Sequence, residues 1–148
     1  MMTDTKVLIV DDEPENVRYL TFILEENGFR QIKSAGNGEE GWEIIQEFIP
    51  GLAVLDLRMP KKSGIHLFNQ IKRDWKFRHM PVIILTGEAE YLKHLDALRS
   101  FHEGREADAE KPVDEIFEHF VDARPDAFLE KPIEPEAFME AVRKVLSG

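Results

Sequence analysis

The 148-residue chain contains no cysteine. Disulfides, thiolate metal sites and cysteine nucleophiles are therefore excluded, and a cysteine-free chain is compatible with the cytoplasm. Long apolar runs are missing as well, since none approaches the ~20 residues of a membrane-spanning helix. The N-terminal MMTDTK leads straight into a short apolar strand, without the longer apolar stretch of a secretory signal. We expect a soluble, cytoplasmic protein with no membrane insertion.

Basic residues are outnumbered, with 19 Lys and Arg against 29 Asp and Glu and a formal net charge of -10. Nucleic-acid binding relies on Lys and Arg to neutralise phosphates, so no direct nucleic-acid partner is expected. The five histidines show no i, i+4 pair of the kind that binds a metal. A chain of this length suits one domain with a substantial core, which we predict over residues 5–148.

Three short, nearly unbroken apolar runs, KVLIV, LAVLD and PVIIL, are typical of strands in a parallel sheet that is covered on both faces. Helical stretches separate them, one beginning near Pro14 and one opening at Gly64, and a weaker strand is predicted around residues 31–35. This alternation predicts an α/β fold, a doubly wound, flavodoxin-like sheet of five parallel strands with helices on both faces. Trp42 and Trp75 are both expected to be structural.

Two Lys-Pro dipeptides, at Lys111 and Lys131, compete to end the fifth strand. The segment 107–110 would bury two carboxylates in a central strand, which is costly without partners. Residues 126–130 are more apolar, so we assign the fifth strand to them and the final helix to about residues 134–146. Lys131 is then the lysine at the strand end, and an enlarged segment with an extra helix, residues 88–125, precedes the fifth strand.

Acid and hydroxyl side chains stand at the ends of the apolar runs: Asp11, Asp12, Asp56 and Thr86. Doubly wound sheets bind ligands outside the carboxyl ends of their strands, so these groups are expected to meet at one edge of the sheet. Three carboxylates there would repel one another and should either take up protons or bind a divalent cation. Oxygen ligands suit Mg²⁺, so Mg²⁺ or Mn²⁺ is the predicted ion.

The fragments KVLIVDDEP, LAVLDLRMP, PVIILTG and DAFLEKP occur in the order found in response-regulator receiver domains, which the chain resembles from about Lys6 to Leu146. The resemblance implies that Asp56 is the phosphoacceptor, supplied by a sensor histidine kinase or a histidine phosphotransfer protein. It also implies that Mg²⁺ is held by Asp11, Asp12, Asp56 and the backbone carbonyl of Arg58. Lys131 would then offset charge on the phosphoryl group, and the Thr86 hydroxyl would register its arrival.

Three further positions take a role from the same resemblance. Phe128 is similar to the aromatic residue whose rotamer reports phosphorylation in receivers, although a buried core phenylalanine is the alternative. Arg58 and Glu88 occupy the two variable positions beside the phosphoryl group, and we hypothesise that they pair and slow its hydrolysis.

The spacing along the chain favours Lys111 over Lys131 as the lysine of the site. Lys111 lies 25 residues past Thr86, which is close to the receiver norm, whereas Lys131 lies 45 residues past it.

The segment 88–125 has two interpretations. Its apolar residues at helical spacing either pack on the domain or form a docking surface, because receivers usually signal through the fifth strand and the helices beside it. An extra apolar helix is also compatible with a phosphorylation-dependent homodimer. No output domain is expected after Leu146, and the sequence leaves open whether the receiver stands alone or belongs to something longer.

Three functions are considered. The first is a phospho-accepting signalling switch, which is not an enzyme beyond its own phosphorylation and slow dephosphorylation. The second is an Mg²⁺-dependent phosphohydrolase working through an aspartyl phosphate, although Asp56-Leu57-Arg58 lacks the Asp-x-Asp pattern of haloacid dehalogenase-like phosphatases. The third is an interaction module with this fold that no longer switches. The downstream protein target is not apparent from the sequence.

Overall fold

The computed structural model describes residues 3–57, 64–86 and 125–147. The elements are β1 (Thr3–Val10), α1 (Pro14–Glu26), β2 (Phe29–Ala35), α2 (Gly38–Phe48), β3 (Leu52–Asp56), α3 (Gly64–Arg73), β4 (Val82–Thr86), β5 (Ala127–Glu130) and α4 (Pro135–Ser147). From β1 to β4 the chain alternates between strands and helices, as the apolar runs predict.

The five strands form one parallel sheet in the order β2-β1-β3-β4-β5. This confirms the doubly wound fold class. The chain leaves β1 towards β2 on one side and later returns to place β3 on the other side, so the strand order reverses between β1 and β3. In sheets of this kind, ligands usually bind at the carboxyl ends of the strands, beside the point where the strand order reverses.

Each face of the sheet has its own apolar core. Leu8 and Leu55 face one layer, where they pack with Ile45 of α2 and Phe68 of α3. Val7 and Val54 face the other layer, which contains Leu20 of α1 and Phe138 of α4. Successive strand residues point to opposite faces, so β3 and β4 are buried along their whole length between the two helical layers.

Local sequence signals explain where α2 begins and how closely it packs. The Asn37 side chain accepts a hydrogen bond from the Glu40 backbone N–H at 2.9 Å, and the Glu40 carboxylate accepts one from the Gly36 N–H at 2.8 Å. One turn later a Cβ on Gly41 would lie only 3.0 Å from the side chain of Val10. The absence of a side chain at Gly41 therefore lets α2 sit directly on the end of β1.

The structure corrects some of the sequence predictions and leaves others untested. The second strand begins at Phe29, two residues before the predicted start. The fifth strand is confirmed, but it lies at the edge of the sheet and its residues alternate between half-buried and exposed. The extra helix predicted within residues 88–125 lies outside the described residues, apart from the final Pro125. Among the described helices, none is long and apolar enough to cross a membrane.

The two tryptophans differ. Trp42 is structural as predicted, because its ring meets that of Phe77 edge to face with centroids 5.8 Å apart. The prediction that Trp75 is structural is wrong, since 82% of the residue is exposed to solvent.

Candidate functional site

The polar strand-end residues meet at the carboxyl edge of the sheet. Asp11 directly follows β1, Asp56 is the last residue of β3, and Thr86 is the last residue of β4. The strands run in register, with Val10 opposite Leu55 and Asp56 opposite Leu85. Because the strands are parallel, their final residues lie side by side, and Asp11 and Asp56 flank the point where the strand order reverses.

The three carboxylates form a tight cluster. Asp11, Asp12 and Asp56 each offer a carboxylate oxygen, and these oxygens lie within 4.8 Å of one another. Asp11 and Asp56 are buried, whereas Asp12 is exposed at the mouth of the cluster. Like charges this close repel one another, and a bound cation would offset that repulsion. All of the side-chain donors are carboxylate oxygens, which fit a hard divalent cation, so the triad is a candidate divalent metal site.

The first turn of α1 fixes the position of Asp11. One carboxylate oxygen of Asp11 accepts a hydrogen bond from the Glu13 backbone N–H at 2.9 Å, and the other accepts one from the side-chain amide of Asn16. The backbone N–H of Asp11 donates to the carbonyl of Ala35 at 2.9 Å. Sequence reasoning did not identify Asn16. Its signal is a polar amide in the first turn of the helix that follows the acidic pair.

Lys131 reaches into the same cluster from the end of β5. Its Nζ lies 3.4 Å from Asp11 Oδ2, 3.7 Å from Asp56 Oδ1 and 3.5 Å from Glu13 Oε1. Burial lowers the pKa of Lys131, but the negative charges of Asp56, Asp11 and Glu13 outweigh that effect and leave the pKa raised. The side chain is therefore a positively charged ammonium group at neutral pH, placed among acids.

The backbone holds Lys131 in this position. Its N–H donates to the carbonyl oxygen of Thr86 at 2.8 Å, which extends the pairing of β4 and β5 by one residue. Two residues later, the carbonyl of Ile133 accepts a hydrogen bond from the Tyr19 hydroxyl at 2.7 Å. Tyr19 belongs to α1, so the same helix that positions Asp11 also anchors the loop that carries the lysine.

Thr86 is fully buried, and within the described part of the chain its hydroxyl oxygen has no hydrogen-bond partner. Buried hydroxyls in folded proteins are nearly always paired, because leaving one unpaired costs free energy. Thr86 ends β4, the strand that pairs with β3 and its last residue Asp56.

The remaining predicted positions fall elsewhere. Phe128 lies on β5 and is 45% exposed, so the alternative of a buried core phenylalanine is wrong. Arg58 and Glu88 lie outside the described residues, as does Lys111. The structure thus brings Asp11, Asp12, Asp56 and Lys131 together, with Thr86 at the end of the neighbouring strand.

Comparison with known proteins gives a family for this arrangement. The family model described as "Response regulator receiver domain" matches residues 7–116 of the chain. The chain belongs to this family. It is a receiver domain, a signalling switch of two-component systems, and receiver domains work with histidine kinases as partners. The family match ends at residue 116, before β5, so it is the structure that brings Lys131 to the carboxylates.

Several curated relatives are similar to the chain. "Polar-differentiation response regulator DivK" of Brucella anthropi is 31% identical over 107 residues, which cover 72% of this chain and 84% of DivK. "Protein PilH" of Pseudomonas aeruginosa is 27% identical over 97% of this chain and 98% of its own length. "Response regulator Rre1" of Synechocystis is 26% identical over 99% of this chain, which spans only 54% of Rre1.

Solved structures give the same result. The signal receiver domain of a signal transduction histidine kinase from Syntrophus aciditrophicus superposes with a TM-score of 0.74 at 27% identity, covering 97% of this chain and 91% of that one. Response regulator protein TrrA from Thermotoga maritima, solved in complex with Mg(2+)-BeF, has a TM-score of 0.67 at 25% identity, covering 95% of this chain and 98% of TrrA. The receiver resemblance read from the sequence is therefore confirmed.

Proposed function

We propose that this receiver accepts a phosphoryl group on Asp56 from a sensor histidine kinase or a histidine phosphotransfer protein, and that phosphorylation switches its conformation to control a partner protein. The observation that carries the proposal is the contact of an ammonium group with two of three clustered carboxylates, since Lys131 Nζ lies 3.7 Å from Asp56 Oδ1 and 3.4 Å from Asp11 Oδ2. An aspartyl phosphate needs a nucleophilic carboxylate and a cation that compensates the transferred charge.

The chemical step uses the Asp56 carboxylate as nucleophile. One of its oxygens attacks the phosphorus atom of the donor, a phosphorus–oxygen bond forms, and the phosphorus–nitrogen bond of phosphohistidine breaks, so that the imidazole leaves with the electron pair. Lys131 holds a positive charge beside the nucleophile. Asp56 is buried, which limits access of water to the acceptor.

The acidic triad fits a divalent cation, which we propose is Mg²⁺ or Mn²⁺. Asp11, Asp12 and Asp56 would hold it with their carboxylates, and the backbone carbonyl of Arg58 would be a further ligand. When bound, the cation supplies positive charge that offsets the carboxylates and the incoming phosphoryl oxygens. The hydrogen bonds from Glu13 and Asn16 keep the Asp11 carboxylate oriented towards this position.

The switch is proposed to begin at Thr86. Its buried hydroxyl lacks an acceptor in the described part of the protein, and a phosphoryl oxygen on Asp56 would provide one. Phosphorylation would then favour a state in which Thr86 is drawn towards Asp56, and Phe128 on the neighbouring strand would change its exposure in response.

Two parts of the proposal involve residues outside those that the structure describes. Arg58 and Glu88 are proposed to pair across the site and slow dephosphorylation. An unchanged aspartyl-phosphate lifetime in Arg58→Ala would reject that pairing. Residues 5–148 are proposed to form one receiver domain in which residues 88–125 are an enlarged helical segment.

Intact-mass spectrometry tests the phosphoacceptor directly. The protein is incubated with Mg²⁺ and acetyl phosphate, and we expect the addition of one phosphoryl group that disappears in Asp56→Asn. Asp4→Asn is the matched control. Asp4 is an exposed aspartate that pairs with Arg30 and lies outside the site. Incorporation that persists in Asp56→Asn would reject the proposal. Multiple turnover of small phosphate esters would instead favour a phosphohydrolase.

A further inference from the structure

A local basic cluster stands out in this acidic chain. Residues 72–79, at the end of α3 and in the loop before β4, contain Lys72, Arg73, Lys76, Arg78 and His79 but only one acid, Asp74. The chain as a whole has a formal net charge of -10, so this positive stretch runs against its general charge. We call residues 74–79, which follow the end of α3, the Trp75 loop.

The centre of the Trp75 loop is an exposed aromatic residue. Trp75 leaves 82% of its surface in water, which makes it the most exposed large hydrophobic residue in the described part of the chain. The neighbouring Phe77 is buried and packs edge to face on Trp42. The loop therefore already has its own apolar anchor in Phe77, and Trp75 adds nothing comparable to the core.

The backbone beneath Trp75 is held in place by several hydrogen bonds. The Asp74 carboxylate accepts one from the Lys76 N–H at 2.8 Å, and the Asp74 carbonyl accepts others from the N–H groups of Phe77 at 3.1 Å and Arg78 at 2.9 Å. Lys72 Nζ donates to the carbonyls of Arg78 at 3.0 Å and Met80 at 2.8 Å. The loop thus presents Trp75 from a backbone that is already ordered, which reduces the entropy lost on binding.

The basic side chains around Trp75 differ in their exposure and in their contacts. Lys72 is half-buried and its ammonium group is used within the fold. Lys76 and Arg78 are exposed on either side of the buried Phe77, and Lys76 Nζ lies 5.4 Å from the centroid of the Phe77 ring. An exposed Trp flanked by Lys and Arg matches the composition of binding hot spots, in which Trp and Arg are enriched.

We propose that the Trp75 loop docks an acidic segment of a protein partner, with Trp75 covering an apolar side chain of that segment and Lys76 and Arg78 pairing with its carboxylates. Charge complementarity argues for an acidic protein segment. An anionic membrane surface or a nucleic acid would present negative charge over a wide area and would repel the rest of this acidic protein, whereas a short peptide meets only the basic loop.

The Trp75 loop lies at the opposite end of the sheet from the phosphoacceptor. It precedes Val82, the first residue of β4, while Thr86 ends the same strand beside the acidic cluster. A partner bound at the loop would therefore leave the carboxyl edge open to a phosphoryl donor. The docking surface is in addition to the proposed phosphoryl chemistry and does not depend on it.

Fluorescence anisotropy with a defined probe tests the docking surface in the full chain. The probe is a fluorescein-labelled 12-residue peptide of Glu and Asp with a central Leu-Phe pair, and a peptide with Gln and Asn in place of the acids is its control. We expect the acidic peptide to bind and the neutral one to bind at least about tenfold more weakly. Trp75→Ala and the double variant Lys76→Glu/Arg78→Glu should each weaken binding at least about tenfold.

The matched control is the double variant Lys33→Glu/Lys144→Glu, which makes the same charge change at exposed positions on β2 and α4 and should leave binding unchanged. Circular dichroism of each variant checks that the fold is kept. Absence of binding up to about 1 mM peptide would overturn the proposal, as would equal weakening by the control variant. Trp75-dependent binding to phosphatidylglycerol vesicles without peptide binding would assign the loop to a membrane surface instead.

Discussion

Gly64, the first residue of α3, lies directly against the backbone carbonyl of Asp56. A Cβ added at Gly64 would overlap the carbonyl oxygen of Asp56 and lie 2.9 Å from its carbonyl carbon and 3.1 Å from the Cα of Leu57. The Gly64 N–H also donates to the Leu57 carbonyl at 3.2 Å. The start of α3 therefore supports the end of β3, so the position of the proposed phosphoacceptor depends on a residue with no side chain.

Gly64→Ala is expected to destabilise the protein and to slow phosphorylation of Asp56. The added methyl group meets backbone atoms that cannot rotate away, and relief of such overpacking typically costs ~1–3 kcal/mol. Urea unfolding and the rate of phosphorylation by acetyl phosphate measure the two effects. Gly36→Ala is the control, because its Cβ would make only an ordinary contact of 3.7 Å with Glu40. Equal effects of the two substitutions would contradict the proposed support of Asp56 by α3.

Thr86→Val is expected to stabilise the unphosphorylated protein and to abolish its response to phosphorylation. The hydroxyl is buried without a partner in the described residues, so an isosteric apolar side chain should raise the free energy of unfolding by ~1 kcal/mol. Thr86→Ser keeps the hydroxyl and should keep the response. Urea unfolding gives the stability, and NMR spectra with and without Mg²⁺ and beryllofluoride give the response. A full spectral response in Thr86→Val would remove Thr86 from the switch.

Asp12→Asn is expected to weaken Mg²⁺ binding while preserving the fold. Asp12 is exposed, so its loss creates no cavity, but it removes one of three clustered charges. Calorimetric titration should show at least about a tenfold loss of Mg²⁺ affinity, equivalent to ~1.4 kcal/mol. In EDTA the same substitution should raise the free energy of unfolding, because the repulsion between carboxylates falls. Asp4→Asn should change neither quantity, and unaltered Mg²⁺ affinity in Asp12→Asn would exclude this residue as a ligand.

The sequence predicted the centre of the sheet better than its edge. β3 and β4 are buried on both faces, so their apolar runs leave little doubt about type or position. The fifth strand was assigned correctly but partly for the wrong reason. It is an edge strand with Phe128 and Glu130 exposed, so alternating acids at 107–110 would not have been excluded by burial.

Asp126 provides the contact that sequence patterning could not reveal. Its carboxylate accepts a hydrogen bond from the Val82 N–H at 2.8 Å, and its own N–H donates to the Val82 carbonyl at 2.9 Å. These two bonds set the register of β5 against β4. A lone aspartate before an apolar run is compatible with many local structures, so its pairing with a residue 44 positions away becomes visible only in three dimensions.

The candidate site was also predictable only in part. Strand topology alone gathers Asp11 and Asp56, because parallel strands end at one edge. The contributions of Glu13 and Asn16 could not be predicted, since they depend on how the first turn of α1 is oriented over the end of β1. The prediction for Trp75 is wrong because tryptophans are usually highly buried, although the charged residues on both sides of Trp75 are typical of an exposed segment.

The raised pKa of Lys131 predicts a specific dependence of stability on pH. Its pKa in the folded protein lies above the ordinary value of 10.5, so its contribution to stability is fully present below that value and is lost as the pH rises through the folded-state pKa. Urea unfolding between neutral pH and the pH at which lysines titrate should therefore show a steeper alkaline loss in the wild type than in Lys131→Met. Identical profiles would contradict the ion pairs with Asp11 and Asp56.

Asp56→Asn should lower the pKa of Lys131, because burial already acts to lower it and the charge of Asp56 is the largest of the opposing contributions. Glu13→Gln is the matched control. Glu13 lies 3.5 Å from Lys131 Nζ but its side chain is 66% exposed, so solvent screens its charge and the pKa should fall less. The ¹³Cε resonance of Lys131, followed by NMR as a function of pH, measures both shifts. If the pKa of Lys131 fell further in Glu13→Gln than in Asp56→Asn, Glu13 and not the proposed phosphoacceptor would make the larger contribution to holding the ammonium group.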